Sequence, residues 1–319
     1  MYKSLYLLWL AAVLPTLAWG AEIREYPCYR LTSEPVIDGK LDDAVWSTVP
    51  PCHGFLVLGD GCVPVERQTS FRMGWTGKGL FVAMECADPH PEKLTTSNAG
   101  DRRIWEDDSV ELFLFPKGQA TYRQFVVNAA GIRWNSGGEL CDWTARTVTN
   151  EHGWTCEMRI PLEVLRSAPR DGEKWRLNVA RNMVVGTEPH SCWVRSIHRS
   201  FHEVDGFGGL IFREKALSQD EASRLGGHLG LKRYFQEQIK ILAKVRMEYR
   251  DVMEQGMQFK EFRQEVLAVQ QGWDLAEEMA GKEEPSLQAV YECWEQCRIL
   301  EERTRKLPLR VDMEKLFEK

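Results

Sequence analysis

A chain of 319 residues is long enough for two domains of ordinary size. With 43% hydrophobic, 10% aromatic and 28% charged residues, it lies well outside the composition of disordered chains. A net charge of −6 without a stripe of clustered Lys and Arg argues against nucleic acid as a partner, because neutralising phosphates requires such a stripe.

In chain order, Met1-Tyr2-Lys3 runs into an apolar stretch from Leu5 to Leu17 and then into the small-residue pattern Ala18-Trp19-Gly20-Ala21. The stretch falls short of the ~20 residues a membrane span needs. It reads as a signal peptide over 1–20, which predicts an exported protein, secreted or periplasmic. Nine cysteines follow, at 28, 52, 62, 86, 141, 156, 192, 293 and 297. Export permits disulfides among them, and the odd count leaves at least one unpaired. No Cys-x-x-Cys pair occurs, so a zinc site is not expected.

Residues 21–213 form the first predicted domain. Short alternating or apolar runs broken by Gly, Pro, Asn and Asp predict strands at Thr69–Trp75, Gly79–Cys86, Ser109–Phe115, Gln124–Asn128, Trp154–Ile160 and Trp175–Asn182. With no helices between them, they favour an antiparallel β-sandwich, immunoglobulin-like or jelly-roll-like. Residues 214–319 form the second. Ser218-Gln219-Asp220-Glu221 fits a capping box. Beyond it Phe235, Leu242 and Tyr249 recur at seven, while Phe259, Phe262, Val266, Val269, Trp273 and Ala276 recur at three and four. After a break at Gly281 to Pro285, the stripe resumes with Leu287, Val290, Trp294 and Cys297. Three core-facing helices in a bundle or coiled coil are predicted, suited to spacing or self-association.

Candidate chemistry centres on Trp105 to Phe115. If Val110, Leu112 and Leu114 point into the sandwich, Ser109, Glu111 and Phe113 point away from it. On the next run, Phe125 and Val127 share one face and Gln124, Val126 and Asn128 the other, which makes Asn128 a candidate partner for Glu111. A carboxylate and an amide on an exposed sheet face beside a tryptophan suit a sugar: hydroxyls take the polar bonds and the apolar ring face stacks on the indole.

Five segments carry a resemblance: Val36-Ile37-Asp38-Gly39-Lys40-Leu41-Asp42-Asp43-Ala44-Val45-Trp46, Trp105 to Phe115, Gln124 to Asn128, Gly153 to Pro161, and Phe207 to Phe212. In this order they resemble family 9 carbohydrate-binding modules, a β-sandwich family related to DOMON-type modules, from about Val36 to Phe212. The resemblance implies a sugar held between two aromatic rings. Trp105 matches the first ring, Glu111 the acidic contact and Asn128 the amide contact. Phe201, followed by His202, stands where the second ring is expected, and Val126 stands where a sugar-binding arginine is expected. Structural calcium is implied as well, and Asp38, Asp42 and Asp43 offer oxygen ligands of the right kind, although turn formation is their first reading.

The partner expected is therefore a mono-, oligo- or polysaccharide, bound without catalysis in the service of polysaccharide recognition or carbohydrate catabolism. The alternative is a structural or cell-surface interaction protein with a degenerate sugar site, motivated by Val126 and Phe201. A glycosidase needs two carboxylates facing each other about 5–10 Å apart. Asp107, Asp108 and Glu111 supply acids but no pairing, and the hundred residues after the sandwich cannot form a catalytic barrel of roughly 250. A haem module needs an axial pair, for which Met73, Met183 and His198 qualify only by residue type.

Overall fold

The computed structural model describes residues 24–59, 65–98, 103–137, 142–186, 189–194, 196, 198–229, 243–244, 246–248, 250–258, 260–280, 299–300 and 303–304. Twelve strands are formed: β1 Glu25–Arg30, β2 Leu56–Val57, β3 Thr69–Trp75, β4 Gly79–Ala87, β5 Ser109–Phe115, β6 Arg123–Asn128, β7 Arg133–Asn135, β8 Thr144–Asn150, β9 Gly153–Pro161, β10 Lys174–Asn182, β11 His190–Cys192 and β12 Gly208–Arg213. The six strands expected from alternation are all among them. Hydrogen bonding runs along one path, β7-β6-β5-β10-β12-β1-β3-β4-β9-β8, with β11 paired to β10 and carrying β2.

The expectation of a purely antiparallel sheet is corrected at one strand. β1 runs parallel to β12, with Tyr26 opposite Leu210 and Cys28 opposite Phe212, and then parallel to β3, with Tyr29 opposite Gly74. Parallel neighbours need long connections. The chain between β1 and β3, which includes a 3-10 turn at Ala44–Thr48, is long enough to supply one. β1 thereby joins the β7-to-β12 half of the path to the β3-to-β8 half.

Both halves bury one core. Val110, Leu112, Leu114, Phe125, Val127, Leu177 and Val179 share it with Phe71, Met73, Val82, Met84, Trp154 and Met158. These inward residues are the ones that alternation selects on β5 and β6. A second, smaller core of Leu31, Val45, Trp46, Val49, Phe81 and Ala83 lies elsewhere on the sandwich. Here the Val36–Trp46 motif has a structural purpose. Buried Glu157 of β9 accepts hydrogen bonds from Trp46 Nε1 at 2.7 Å, Asp38 N at 3.0 Å and Gly39 N at 2.9 Å. Gly39 has φ +88°, and a Cβ there would stand 2.9 Å from the backbone of Thr147, so only glycine fits the turn.

Cys28, Cys86, Cys156 and Cys192 are buried free thiols. Burial pushes the Cys86 thiol up to about 11 and Cys192 to about 12, which removes their thiolate reactivity. Cys52 is buried too, its thiol donating to the Leu229 carbonyl. Cys62, Cys141, Cys293 and Cys297 lie outside the described residues, as does the signal peptide predicted over 1–20.

The capping box forms as expected: Ser218 N donates to Glu221 and Glu221 N to Ser218 Oγ. After the single turn α1 Leu162–Leu165, it opens α2 Gln219–Leu229, which docks with Gly226 against Pro51. α3 Arg250–Gly256 and α4 Lys260–Ala280 follow. On α4, Val266, Val269 and Trp273 are buried, with the Arg246 guanidinium 5.3 Å from the Trp273 ring centre and Leu300 close to Gly272. Among the described residues these elements do not make the expected bundle or coiled coil. Residues 243–244 and 246–248 are helical as well, and the helix through Arg250 ends at Gly256. Phe235, Leu242, Tyr249, Phe259, Leu287, Val290, Trp294 and Cys297 lie outside the described residues. Among the described residues no helix is long and apolar enough to cross a membrane.

Candidate functional site

Cross-strand register builds the site on the face of β5, β6 and β10 that points away from the main core. One row aligns Trp134, Val126, Glu111 and Ala180; a second aligns Gln124, Phe113 and Asn178; a third aligns Asn128, Ser109, Asn182 and His190. Part of this face is roofed by the segment after β11, whose Phe201 and Phe207 pack on Phe113, Ala180 and Cys192. What stays open is a cavity of about 470 Å³, walled by Trp105 and Trp134 and by Phe201 and His202, with Glu111, Gln124, Asn182 and His190 also lining it.

Trp105, on a 3-10 turn at Ile104–Glu106, is 36% exposed. Its ring meets Trp134 edge-to-face, with centres 5.6 Å apart and planes at 74°. The two indoles therefore form a corner, and neither lies flat on the other.

Glu111 was expected on an exposed face, but it is only 3% exposed, because the Phe201–Phe207 roof closes over the sheet. Its Oε2 accepts from Gln124 Nε2 at 2.6 Å and its Oε1 from Asn182 Nδ2 at 2.7 Å. Burial raises its pKa above the usual carboxylate range, and these two donors pull the other way. Asn128 does not partner Glu111 and is not among the cavity-lining residues. It is fully buried, donating to Asp107 Oδ2 at 2.9 Å and accepting from Ile132 N at 2.8 Å, so it pins the turn between β6 and β7. Gln124 takes the place expected of it. Glu111 faces Val126 directly, leaving Gln124 and Asn128 as equal diagonal neighbours in the sequence pattern, and the three-dimensional sheet selects the first.

Phe201 and His202 both line the cavity. His202 Nδ1 is 2.7 Å from the Tyr122 hydroxyl, and the Phe201 and His190 rings stand perpendicular with centres 6.0 Å apart. Burial lowers the pKa of both histidines. Val126 is buried between Glu111 and Trp134 and offers no donor. An arginine joins the lining from another place: Arg199, held at φ +58°. Its stem lies over Gly59 (φ +76°), where a Cβ would fall 2.1 Å from Arg199 Cγ. A non-glycine residue in the left-handed region at a cavity edge is a conformation that functional sites collect.

Trp134, Asn182, His190 and Arg199 were not singled out from the sequence. β7 is three residues long, too short to show a period of two. Had Arg133–Asn135 been recognised as a strand pairing with β6, alternation would have placed Trp134 beside Val126.

The remaining candidates fall elsewhere. Asp107 accepts from Asn98 and Asn128, and Asp108 from the backbone of Thr95 and Val184. Both carboxylates thus tie loops, and of the three acids considered for glycosidase chemistry only Glu111 lines the cavity. Met73 and Met183 are sealed in the main core and His198 is exposed, so they do not form an axial pair. Asp38 Oδ1 accepts from Lys40 N and Asp43 Oδ2 from Val36 N. Among the described residues no group of three or more His, Cys, Asp and Glu is arranged to hold a metal.

The family model described as carbohydrate family 9 binding domain-like matches residues 37–215. Among solved structures, a carbohydrate-binding module family 9 from Caldicellulosiruptor kristjanssonii in complex with glucose is 20% identical, covering 60% of this chain and 97% of its own, with a TM-score of 0.46. The same organism's module in complex with cellotriose is also 20% identical, covering 60% of this chain and 95% of its own, with a TM-score of 0.46. No curated protein matches the chain.

Proposed function

Because this chain belongs to the carbohydrate family 9 binding domains over residues 37–215, we propose that it is an exported, non-catalytic protein that holds a saccharide in the cavity between the Trp105–Trp134 corner and the Phe201–His202 wall. The observation that carries this reading is the combination of a half-open indole corner with a buried carboxylate in one cavity of about 470 Å³, a volume suited to a small ligand. An apolar sugar face stacks on Trp105 or Trp134, while Glu111, Asn182 and Gln124 meet hydroxyls. Arg199 brings to the cavity the kind of donor that Val126 lacks. Asn128 supports the turn beneath and touches no ligand.

The service of such binding is polysaccharide recognition or carbohydrate catabolism in a secreted or periplasmic setting, which the Leu5–Leu17 run and its small-residue end support. N-terminal sequencing of the protein recovered outside the cytoplasm tests the export. Titration of intrinsic tryptophan fluorescence with a panel of mono- and oligosaccharides tests the binding. Saturable change with at least one sugar is expected, and silence toward the whole panel refutes the reading. Incubation with chromogenic glycosides should release no product.

A further inference from the structure

The cavity lining contains a hydrogen-bond chain whose direction is fixed by its own chemistry. Asn182 Nδ2 donates twice, to Glu111 Oε1 at 2.7 Å and to Ser109 Oγ at 3.1 Å. Turning the amide over would set its oxygen against a carboxylate, so Asn182 Oδ1 is the atom left facing His190 Nδ1 at 2.8 Å. Oδ1 only accepts, so Nδ1 must carry the hydrogen. The neutral ring then keeps its lone pair on Nε2. Phe201, its ring perpendicular to the imidazole at 6.0 Å, supports it from another direction, and His190 remains exposed where it lines the cavity.

We propose that His190 is a specificity-determining residue of this cavity, its Nε2 accepting a hydrogen bond from a saccharide hydroxyl that Asn182 fixes it to receive. The inference rests on the saccharide reading and sharpens it. With Glu111, the lining then offers acceptors on the two strands that flank β10 here, β5 and β11, so the favoured ligand turns hydroxyl donors toward both. The charged and titratable groups around His190 in the cavity are Glu111 from β5, Glu106 from the preceding turn, and Arg199 and His202 from the roof segment. Burial lowers the His190 pKa from its usual 6.5, which keeps the acceptor form present at neutral pH.

The test uses the full chain and whichever neutral sugar of the panel binds it most tightly, measured by calorimetry for two variants. An asparagine amide can replace the Nδ1 hydrogen but does not reach the Nε2 position, whereas a glutamine amide does. H190N should therefore weaken binding by about tenfold, the worth of one well-aligned hydrogen bond, while H190Q should stay within about threefold of the parent on the same scale. Melting temperatures confirm that both fold. Parent affinity should also fall as pH drops below neutral, because protonated His190 is no longer an acceptor. H190Q should lose that component and keep only the part due to Glu111 and His202. Unchanged binding by H190N, or an equal loss in both variants, overturns the assignment of His190 and leaves the saccharide reading intact. Failure of every sugar to bind the parent chain overturns both.

Discussion

Replacing Glu111 with glutamine separates what the fold requires of this residue from what the ligand requires. In the parent, the buried carboxylate accepts two short amide bonds, from Gln124 and Asn182. In E111Q the amide oxygen can keep Asn182, whose own amide cannot turn because it also serves Ser109 and His190. The new NH2 then faces Gln124, which can present its oxygen after a half-turn of its side chain. Two charge-assisted bonds become two neutral ones, a loss of about 1 kcal/mol each. Against that roughly 2 kcal/mol stands the burial of a charge, which costs several kcal/mol in a site this closed. The raised pKa, with burial as its largest cause, shows that desolvation outweighs the two bonds.

A carboxyl whose folded pKa is raised binds its proton more tightly in the folded state. Its favourable contribution is therefore present at low pH and lost as pH rises through the folded pKa. At pH 7, E111Q should be as stable as the parent or about 1 kcal/mol more so, which for a domain of this size is a rise in Tm of about 2–4 °C. Toward pH 4 the difference should shrink, because the parent becomes protonated. Differential scanning fluorimetry from pH 4 to 8 measures this, and sugar binding at pH 7 should fall by tenfold or more for loss of a charged acceptor. A fall in Tm of more than about 6 °C at pH 7, or undiminished sugar affinity, would refute the reasoning.

Trp105→Ala should weaken sugar binding by about thirtyfold or more, the usual cost of truncating an aromatic anchor, with an unchanged far-UV circular dichroism spectrum; full affinity would show that the ligand does not use this ring. Gly59→Ala puts a Cβ onto the Arg199 stem and strains a backbone at φ +76°. Chemical denaturation should show a loss of about 1–2 kcal/mol, and calorimetry a weakened sugar affinity from the displaced guanidinium. Glu157→Ala leaves Trp46 Nε1, Asp38 N and Gly39 N without their acceptor. It should cost about 3 kcal/mol or more in urea unfolding, and a near-neutral result would deny Glu157 its role in anchoring the Val36–Trp46 motif.

Strand positions were legible in the sequence wherever alternation ran long enough to be counted. Ser109–Phe115 and Thr69–Trp75 match the observed strands residue for residue, and the inward set Val110, Leu112 and Leu114 is the buried one. Which face was open was not legible. The roof over Glu111 comes from Phe201 and Phe207, in a segment without periodicity, and closure of such a segment is a tertiary event. The same gap hid Trp134, Asn182 and His190, because a cavity gathers residues by register across strands, and register is absent from any single run. The parallel placement of β1 was equally hidden, since it depends on strands more than forty and one hundred and eighty positions away. Val126 stands where an arginine is expected, while the arginine that lines the cavity is Arg199, a strained loop residue that no motif would flag.

The seam made by β1 also orders the assembly of the molecule in time. Glu25 to Tyr29 find their partners at Gly209 to Arg213, so β1, already able to pair with β3, waits for the last described strand of the sandwich before its other edge is satisfied. Until then the two halves lack the β1–β12 seam and, among the described residues, are linked only through the short β2–β11 pairing and the Cys52–Phe71 bridge. A sandwich closed by such a distant pair pays its loop-closure entropy late and folds slowly. The nascent chain therefore remains unclosed until residue 213 has been made.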